Sequence, residues 1–344
     1  MIQLPTEFNP LKSETERPLH EMWYLKLNDP STQRAFWLRF TLLHPRNGFK
    51  RLCEVAAVYF EKTSQREIKK VALKQTYGLD AFQIRAASKA SPHLGQGVKM
   101  ADNELTAQST TGQIVSKGNS IHWDLSFTPE SKTQFSLIPK FLSRSRLVKT
   151  SMKTLCEELI FTGITEINGE RIHWKEAPGI LGYRSGSIAG HSWTWGQCNA
   201  FVDEAGKPTP FVFEGLTAQT RIGPFRTPSV SSFYFRYRQK DYHFNTLKDL
   251  IHIQSKANLN QWEFVTDRGE LVFRGYIQSE YKDFAGLTDE DTQGSLLYFS
   301  NSKLSNMKVL VYRKGKLEST FTAEGTVAFE VVSRTRNPYV PLLI

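Results

Sequence analysis

The stretch from Gly190 to Phe201 reads GHSWTWGQCNAF, and its side chains alternate between large and small. Successive side chains of a β-strand point to opposite faces of its sheet. A strand here would carry small residues at the even-numbered positions and aromatic or amide side chains at most odd-numbered ones. We therefore predict a strand that lines a cavity with its odd-numbered face: His191, Trp193, Trp195, Gln197, Asn199 and Phe201.

Short alternating runs recur along the rest of the chain. Ala35 to Leu43 places Phe or Leu at every second position, and Ser120 to Phe127 alternates apolar with polar residues. Asn168-Gly169 lies between two strand-like runs and predicts a type I′ hairpin. Many short strands with Gly-containing turns between them indicate an all-β fold of antiparallel barrels or sandwiches, with few short helices.

Length and composition fit a globular protein of two domains. The chain has 344 residues, of which 40% are hydrophobic and 12% aromatic, so it can bury substantial cores. The loop at residues 202–210 is the best candidate boundary. It gives predicted domains at residues 1–201 and 202–344.

The chain carries a formal net charge of +10, which suits an anionic partner. Residues 131–156 concentrate this charge, because they contain no acidic residue and interleave basic with apolar side chains. Two interpretations stay open: a segment that binds an anionic membrane surface, or a basic loop across a barrel end. No nucleic-acid partner is expected. The basic residues of the segment are Lys132, Lys140, Arg144, Arg146, Lys149 and Lys153.

Several other classes of protein are disfavoured. The three cysteines are widely spaced and form no CxxC pair, which argues against a disulfide framework and a thiolate metal site. The first residues contain no apolar run of a signal peptide, and no run approaches the ~20 apolar residues of a membrane span. No His pair or nucleophile motif predicts a metal or hydrolase site. We expect a cytoplasmic protein with no metal and no cofactor.

Two motifs resemble the tocopherol cyclase family. Glu21 to Lys26 is similar to its E-x-W-Y-x-K motif, and Trp193 to Phe201 is similar to its W-x-W-x-Q-x-N-x-F strand. The Asn-Gly hairpin and the following Pro178-Gly179 also resemble that family in order and spacing. The same architecture is shared by carotenoid 1,2-hydratases (hydroxyneurosporene synthases) and, more distantly, by fungal lipocalin-like Diels–Alderases. The resemblance implies two lipocalin-like antiparallel β-barrels, a double calycin-like architecture, with a cavity for a hydrophobic ligand.

The chain departs from tocopherol cyclases directly after Gly182-Tyr183. That family carries an acidic-Lys-Asn-Trp-Gly segment there, whereas this chain reads Arg184-Ser185-Gly186-Ser187-Ile188. The resemblance therefore implies the fold and the ligand cavity rather than a particular substrate.

The aromatic face of the strand suggests what it contacts. Trp193 and Trp195 could form a π wall for an extended apolar ligand and stabilise a carbocation by ~0.5–2 kcal/mol per contact, or could fill a core within or between barrels. Gln197 and Asn199 share this face and need partners, which could be a polar ligand head, water or a structural network. His191 could transfer a proton or be structural.

The first motif adds further candidate residues. Glu21 and Arg39 would pair if they faced the same lumen, and a buried Glu21 with a raised pKa could act as a general acid. We predict Glu21 and His191 as catalytic residues. Trp23, Tyr24 and Arg39 join the predicted ligand-binding residues.

These features predict a protein that binds an isoprenoid, polyene or lipid-like molecule in a barrel cavity. Cyclisation, hydration or isomerisation of that molecule by proton transfer, without a cofactor, is the predicted reaction type. Two alternatives stay open: a carrier without catalytic activity, and a basic protein peripheral to a membrane.

Overall fold

The computed structural model shows a chain built almost wholly of antiparallel β-strands in two large sheets. The predicted all-β fold of two antiparallel barrel-like units with few short helices is confirmed. One four-residue helix, α1, spans Asp249–His252. No helix in the described ranges is long and apolar enough to cross a membrane. The structure describes residues 2, 4–6, 18–45, 50–65, 67–85, 97–131, 133–139, 141–142, 150–186, 190–222 and 225–344.

The first sheet contains twelve strands in the order β4-β3-β2-β1-β12-β11-β9-β8-β7-β6-β5, with β10 paired to β11. The sheet curls until β4 approaches β8 and β9, which encloses a core. The strands are β1 (Leu19–Asp29), β2 (Arg34–His44), β3 (Leu52–Lys62), β4 (Ile68–Gly78), β5 (Phe82–Arg85), β6 (Gly97–Met100), β7 (Asn103–Leu105), β8 (Ser109–Ser116), β9 (Asn119–Pro129), β10 (Phe135–Ser136), β11 (Thr150–Ile167) and β12 (Glu170–Gly186).

The second sheet follows the order β20-β19-β16-β13-β26-β25-β23-β22-β21, with β14, β15 and β24 attached to its sides. Its strands are β13 (Ser192–Cys198), β14 (Phe201–Val202), β15 (Pro208–Thr209), β16 (Val212–Gln219), β19 (Val230–Tyr237), β20 (Lys240–Phe244), β21 (Ile253–Ala257), β22 (Gln261–Asp267), β23 (Leu271–Gln278), β24 (Ala285–Glu290), β25 (Leu296–Arg313) and β26 (Lys316–Ser333). β17 (Arg221–Ile222) and β18 (Phe225–Arg226) form a small sheet of their own.

Both sheets follow the same plan. The first strand of each, β1 or β13, pairs with the last, β12 or β26, and the last is one arm of a long hairpin. In the first sheet this hairpin turns at Asn168-Gly169, where both residues have positive φ, 51° and 86°. These angles are those of a type I′ turn, so the hairpin prediction is confirmed.

The boundary between the sheets differs from the predicted domain boundary. β13 hydrogen-bonds to β16 and β26, so the whole of β13 belongs to the second barrel. The two sheets therefore divide between Gly186 and Ser192. The predicted boundary loop at residues 202–210 contains a hairpin, in which Phe201 pairs with Thr209. The sheets therefore divide upstream of the predicted boundary at residues 201 and 202, because strand pairing cannot be read from loop composition.

Large and small side chains alternate along β13 as predicted. The small side chains, not the large ones, face the lumen of the second barrel. Thr194, Gly196 and Cys198 face the second barrel's core, while Trp193 and Trp195 point out of it. The reason is the space that the lumen aromatics need. A Cβ on Gly196 would lie 2.8 Å from Ile277 Cδ1 and 3.1 Å from Trp262.

The second lumen is filled by aromatic rings. Phe213 stacks on Phe264 with ring centroids 5.2 Å apart, and Phe235 stacks on Phe273 at 4.2 Å. Small barrels fill their interior with side chains in this way. A ligand cavity must therefore lie outside this part of the lumen.

We expect Gly196→Val to destabilise the protein by about 1–3 kcal/mol, because overpacking a close-packed core forces its neighbours to shift. Gly190→Ala is the control, since its Cβ would meet no atom closer than 3.5 Å. Urea unfolding followed by fluorescence measures both changes. Equal stability of the two variants would contradict the assignment of the small face to the lumen.

Candidate ligand-binding site between the barrels

The outer face of β1 is buried against the second barrel. His20, Met22, Tyr24, Lys26 and Asn28 point away from the first barrel's lumen, yet each is at most 6% exposed. The Tyr24 ring meets Trp195 edge-on with centroids 5.8 Å apart. Lys26 Nζ donates a hydrogen bond to Gln197 Oε1 at 3.1 Å. β1 and β13, the first strands of the two sheets, are thus in direct contact.

A cavity of about 210 Å³ lies between the docked faces. The first barrel contributes Met22, Tyr24, Trp37, Met152 and Arg184, and the segment between β10 and β11 contributes Leu137, Ile138, Pro139 and Leu142. The second barrel contributes Trp193, Trp195, Leu216, Ala218, Ser232, Phe299 and Glu330. Most of these side chains are apolar, as is typical of small-molecule sites.

Trp193 links the aromatic wall to the charged groups of the cavity. Its ring meets Phe299 edge-on with centroids 5.7 Å apart, and the Arg184 guanidinium lies 5.0 Å from its ring centroid. Its Nε1 donates to Glu330 Oε1 at 3.4 Å. Burial lowers the pKa of Arg184, while Asp289 and Glu330 oppose that shift. One indole therefore separates an acidic from a basic side chain at the cavity.

The Tyr24 hydroxyl has no hydrogen-bond partner among the described residues, although Tyr24 is only 5% exposed. Burial raises its pKa well above the ordinary value of 10.0, and Glu214 and Glu330 add to the shift. The hydroxyl is thus a neutral donor at physiological pH. Its ring passes across Gly182, where a Cβ would lie 2.1 Å from Tyr24 Cζ. Gly182 is needed for this placement.

Glu214 lies behind Trp195 and joins the two barrels. Its carboxyl accepts hydrogen bonds from Trp195 Nε1 at 2.9 Å and from Thr154 Oγ1 of the first barrel at 2.6 Å. Burial raises the pKa of Glu214 to about 7, against the lowering effect of these two hydrogen bonds. The carboxyl therefore titrates near neutral pH.

Two buried lysines complete this region. Burial lowers the pKa of Lys26 to about 8 and that of Lys303 to about 7. The Lys303 ammonium lies 5.6 Å from the ring centroid of Trp37 and 5.2 Å from that of Trp195. Within the described ranges, no group of three or more His, Cys, Asp or Glu side chains is arranged to hold a metal ion.

The predicted binding residues fall into two groups. Tyr24, Trp193 and Trp195 line the cavity together. Gln197 and Asn199 take part in a structural network instead, with Gln197 bound to Lys26. Asn199 Nδ2 donates to the backbone oxygens of Glu157 at 3.0 Å and Gly179 at 2.9 Å.

Glu21 and Trp23 face the opposite side of β1, into the first barrel. Tyr183 donates a hydrogen bond to Glu21, as does Thr6 at 3.0 Å. Trp23 Nε1 donates to the Pro5 carbonyl at 2.9 Å. Neither side chain lines the cavity between the barrels.

Glu21 and Arg39 do not meet the condition for their pairing, which was a shared lumen. In the register of β1 and β2, Arg39 lies opposite Tyr24, so it shares the outer face rather than the lumen. Its guanidinium donates to Glu54 at 2.8 Å and to Asp289 of the second barrel at 3.3 Å. Arg39 therefore joins the barrels, and alternation along β1 keeps Glu21 away from it.

His191 precedes β13 and is partly buried. Its backbone N–H donates to the Gln219 carbonyl at 2.8 Å, and both Gly190 and Gln219 line the cavity. Its catalytic role stays a prediction.

Sequence reasoning missed Arg184, Glu214 and Glu330. Glu214 is the one charged residue of β16, whereas Arg184 and Glu330 each follow a run of apolar or small residues in a strand with further charges, as in TVAFEVV around Glu330. Burying a charge is costly without compensation, so such isolated charges are a usable signal. An isolated charge identifies a site residue only when the tertiary structure shows which strands lie side by side.

The basic segment can be assessed only in part. Lys132, Lys140, Arg144, Arg146 and Lys149 lie outside the described residues, whereas Lys153 is exposed. The apolar side chains Leu137, Ile138 and Leu142 line the cavity. Membrane binding through residues 131–156 stays a prediction, which liposome flotation with and without anionic lipid would test.

We expect Glu214→Gln to remove a pH dependence of stability. A carboxyl whose pKa is about 7 when folded and 4.5 ordinarily holds its proton more tightly in the folded state, so stability falls as pH rises from 4.5 to 7. The full effect is roughly 3 kcal/mol. Gln retains the oxygen that accepts from Trp195.

The measurement is urea unfolding of both proteins between pH 4.5 and 7, a window set by the two pKa values of Glu214. The variant should gain stability relative to the wild type as pH rises, and taking the difference between the two proteins cancels the titration of Lys303. Parallel curves would show that Glu214 ionises normally.

Comparisons with known proteins give the fold alone. No protein-family model matches the chain, and no curated protein matches its sequence. The solved structure of a protein from Nitrosomonas europaea described as an AttH is similar over 97% of this chain and 99% of its own, with 10% identity and a TM-score of 0.50. Kievitone hydratase from Nectria haematococca is similar over 92% of this chain and 89% of its own, with 11% identity and a TM-score of 0.52.

Proposed function

We propose that the cavity between the barrels binds a compact apolar molecule, isoprenoid, polyene or lipid-like, that carries one oxygen function. The observation that carries this proposal is the buried Tyr24 hydroxyl, which has no hydrogen-bond partner among the described residues and belongs to a side chain that lines an apolar cavity. An unpaired buried hydroxyl costs about 1–3 kcal/mol, which a carbonyl or hydroxyl of the ligand would offset.

The lining supports an apolar ligand body. Trp193, Trp195 and Phe299 offer flat apolar surfaces, and Met22 and Leu216 fill the space between them. Because the pKa of Tyr24 is raised well above 10.0, its hydroxyl donates to the ligand oxygen rather than accepting a proton.

Proton transfer is the reaction that this arrangement favours. Glu330 supplies a carboxylate on the opposite barrel from Tyr24, and Arg184 balances its charge. If Glu330 removes a proton next to a ligand carbonyl while Tyr24 donates a hydrogen bond to the carbonyl oxygen, an enolate forms, and return of the proton from Glu330 to a different carbon gives isomerisation. Hydration or cyclisation needs the same acid and base. The similarity in fold to a kievitone hydratase agrees with this class of reaction.

A carrier without catalytic activity is the second candidate. Glu330 already accepts a hydrogen bond from Trp193, and this contact favours a structural carboxylate. The two functions share the binding step and differ in the role of Glu330.

We expect Tyr24→Phe to weaken binding of β-ionone, a compact isoprenoid ketone, by about fivefold to tenfold, equivalent to ~1 kcal/mol. Quenching of tryptophan fluorescence measures the affinity, since three Trp side chains line the cavity. Limonene, a hydrocarbon, should bind both proteins equally. Tyr59→Phe is the control, because Tyr59 belongs to the first barrel's core. Unchanged β-ionone binding by Tyr24→Phe would refute the proposed hydrogen bond.

Glu330→Gln separates the enzyme from the carrier. If the protein catalyses proton transfer, β-ionone recovered from D₂O should contain deuterium next to its carbonyl, and this variant should slow incorporation at least ~100-fold while still binding the ketone. Mass spectrometry measures incorporation. Glu324→Gln is the control, an exposed glutamate of the same strand. If the wild type binds β-ionone but incorporates no deuterium, the enzyme proposal fails and the carrier function remains.

A further inference from the structure

A second cavity opens at one end of the second barrel, on the other side of Trp193 and Gln219. Its volume is about 650 Å³, within the ~300–1,000 Å³ of typical ligand sites. It is bounded by the ends of β13, β16, β21, β25 and β26. We propose that this cavity, which we call the mouth site, binds an uncharged polyhydroxylated group such as a sugar.

The chemistry of the lining carries the proposal. Its deeper part presents hydroxyls from Thr194, Thr217, Ser255 and Ser300, and Gln219 and Asn258 add amides. Each hydroxyl donates one hydrogen bond and accepts two, and each amide does both as well. Such a surface matches the mixed donors and acceptors of a polyol.

The hydroxyls are held in place by a buried indole. Trp262 is fully buried, and its Nε1 donates to Ser255 Oγ at 2.8 Å. Thr217 Oγ1 lies 2.8 Å from both Ser255 Oγ and Ser231 Oγ. Two hydrogen bonds among these three hydroxyls use two of their three hydrogens, so one hydrogen has no acceptor within the group. The hydroxyls of Thr217, Ser231 and Ser255 are therefore held in fixed positions by their hydrogen bonds.

The charge distribution indicates that the ligand is neutral. None of the described residues that line the mouth site is Asp or Glu. Its two cationic residues, Lys256 and Arg336, are exposed at the rim, and Lys256 lies opposite Glu263 in the β21–β22 ladder. Arg334 beside the rim is bound to Asp291 at 2.7 Å. Among the described residues of the mouth site, a strong anion would find no buried cation.

Aromatic side chains complete the match to a sugar. Trp193 and Tyr298 lie in the wall among the polar groups. Amphipathic rings of this kind can cover the apolar face of a pyranose while hydroxyls and amides bind its edge. The mouth site thus differs in chemistry from the apolar cavity, although Trp193 and Gln219 line both.

The test is ligand-observed NMR and calorimetry with cellobiose on the full chain. Binding to the wild type is expected, with Thr217→Val and Ser300→Ala each weakening it at least ~fivefold by removing one hydroxyl. Thr320→Val is the matched control, since Thr320 lies towards the opposite end of β26 from the mouth site. Two variants are used because Thr217→Val also breaks the hydroxyl chain.

Three results would overturn the proposal. The first is no binding of cellobiose, and the second is tighter, salt-sensitive binding of glucose 6-phosphate that Arg336→Gln removes. The third is loss of cellobiose binding in Tyr24→Phe, which would place the sugar between the barrels. Unaltered sugar binding by Tyr24→Phe, beside weakened β-ionone binding, would support two separate sites. Failure of β-ionone to bind would contradict the proposed cavity ligand but would not affect the proposal for the mouth site.

Discussion

The docking of β1 on β13 holds the two barrels together. Each strand is the first of its sheet, and each presents one face to its own core and the other to the opposite barrel. Tyr24 against Trp195 and Lys26 against Gln197 join the two outer faces. Separating the barrels would expose these apolar and polar groups together, so each sheet supplies part of the other's core.

This docking also explains why charged groups are buried between the barrels. Arg39 is neutralised by Glu54 and Asp289, which come from both barrels. Lys26 and Lys303 instead have lowered pKa values, because burial disfavours their charged forms. Breaking a buried charged pair costs far more than breaking an exposed one. The polar network therefore selects one relative placement of the barrels over others.

Space for a ligand arises where the two curved sheets fail to fill their contact. The second lumen is closed by stacked phenylalanines, and Trp23 and Phe161 occupy the first. Large side chains on the outer faces keep the sheets apart and line the gap. An apolar site between the barrels and a polar site at one barrel's mouth then follow from a single architecture, with Trp193 in the wall of both.

The all-β class, the Asn168-Gly169 hairpin and the two-faced character of β13 could be predicted from the sequence, because each depends on neighbours in the chain. The sequence also singled out Tyr24, Trp193 and Trp195. Which face of β13 meets the lumen could not be predicted in this way, since it depends on the space taken by Trp262 and other distant rings. The same holds for the places of Glu21, Arg39, Arg184 and Glu330, which strand register and barrel docking fix through residues far away in sequence.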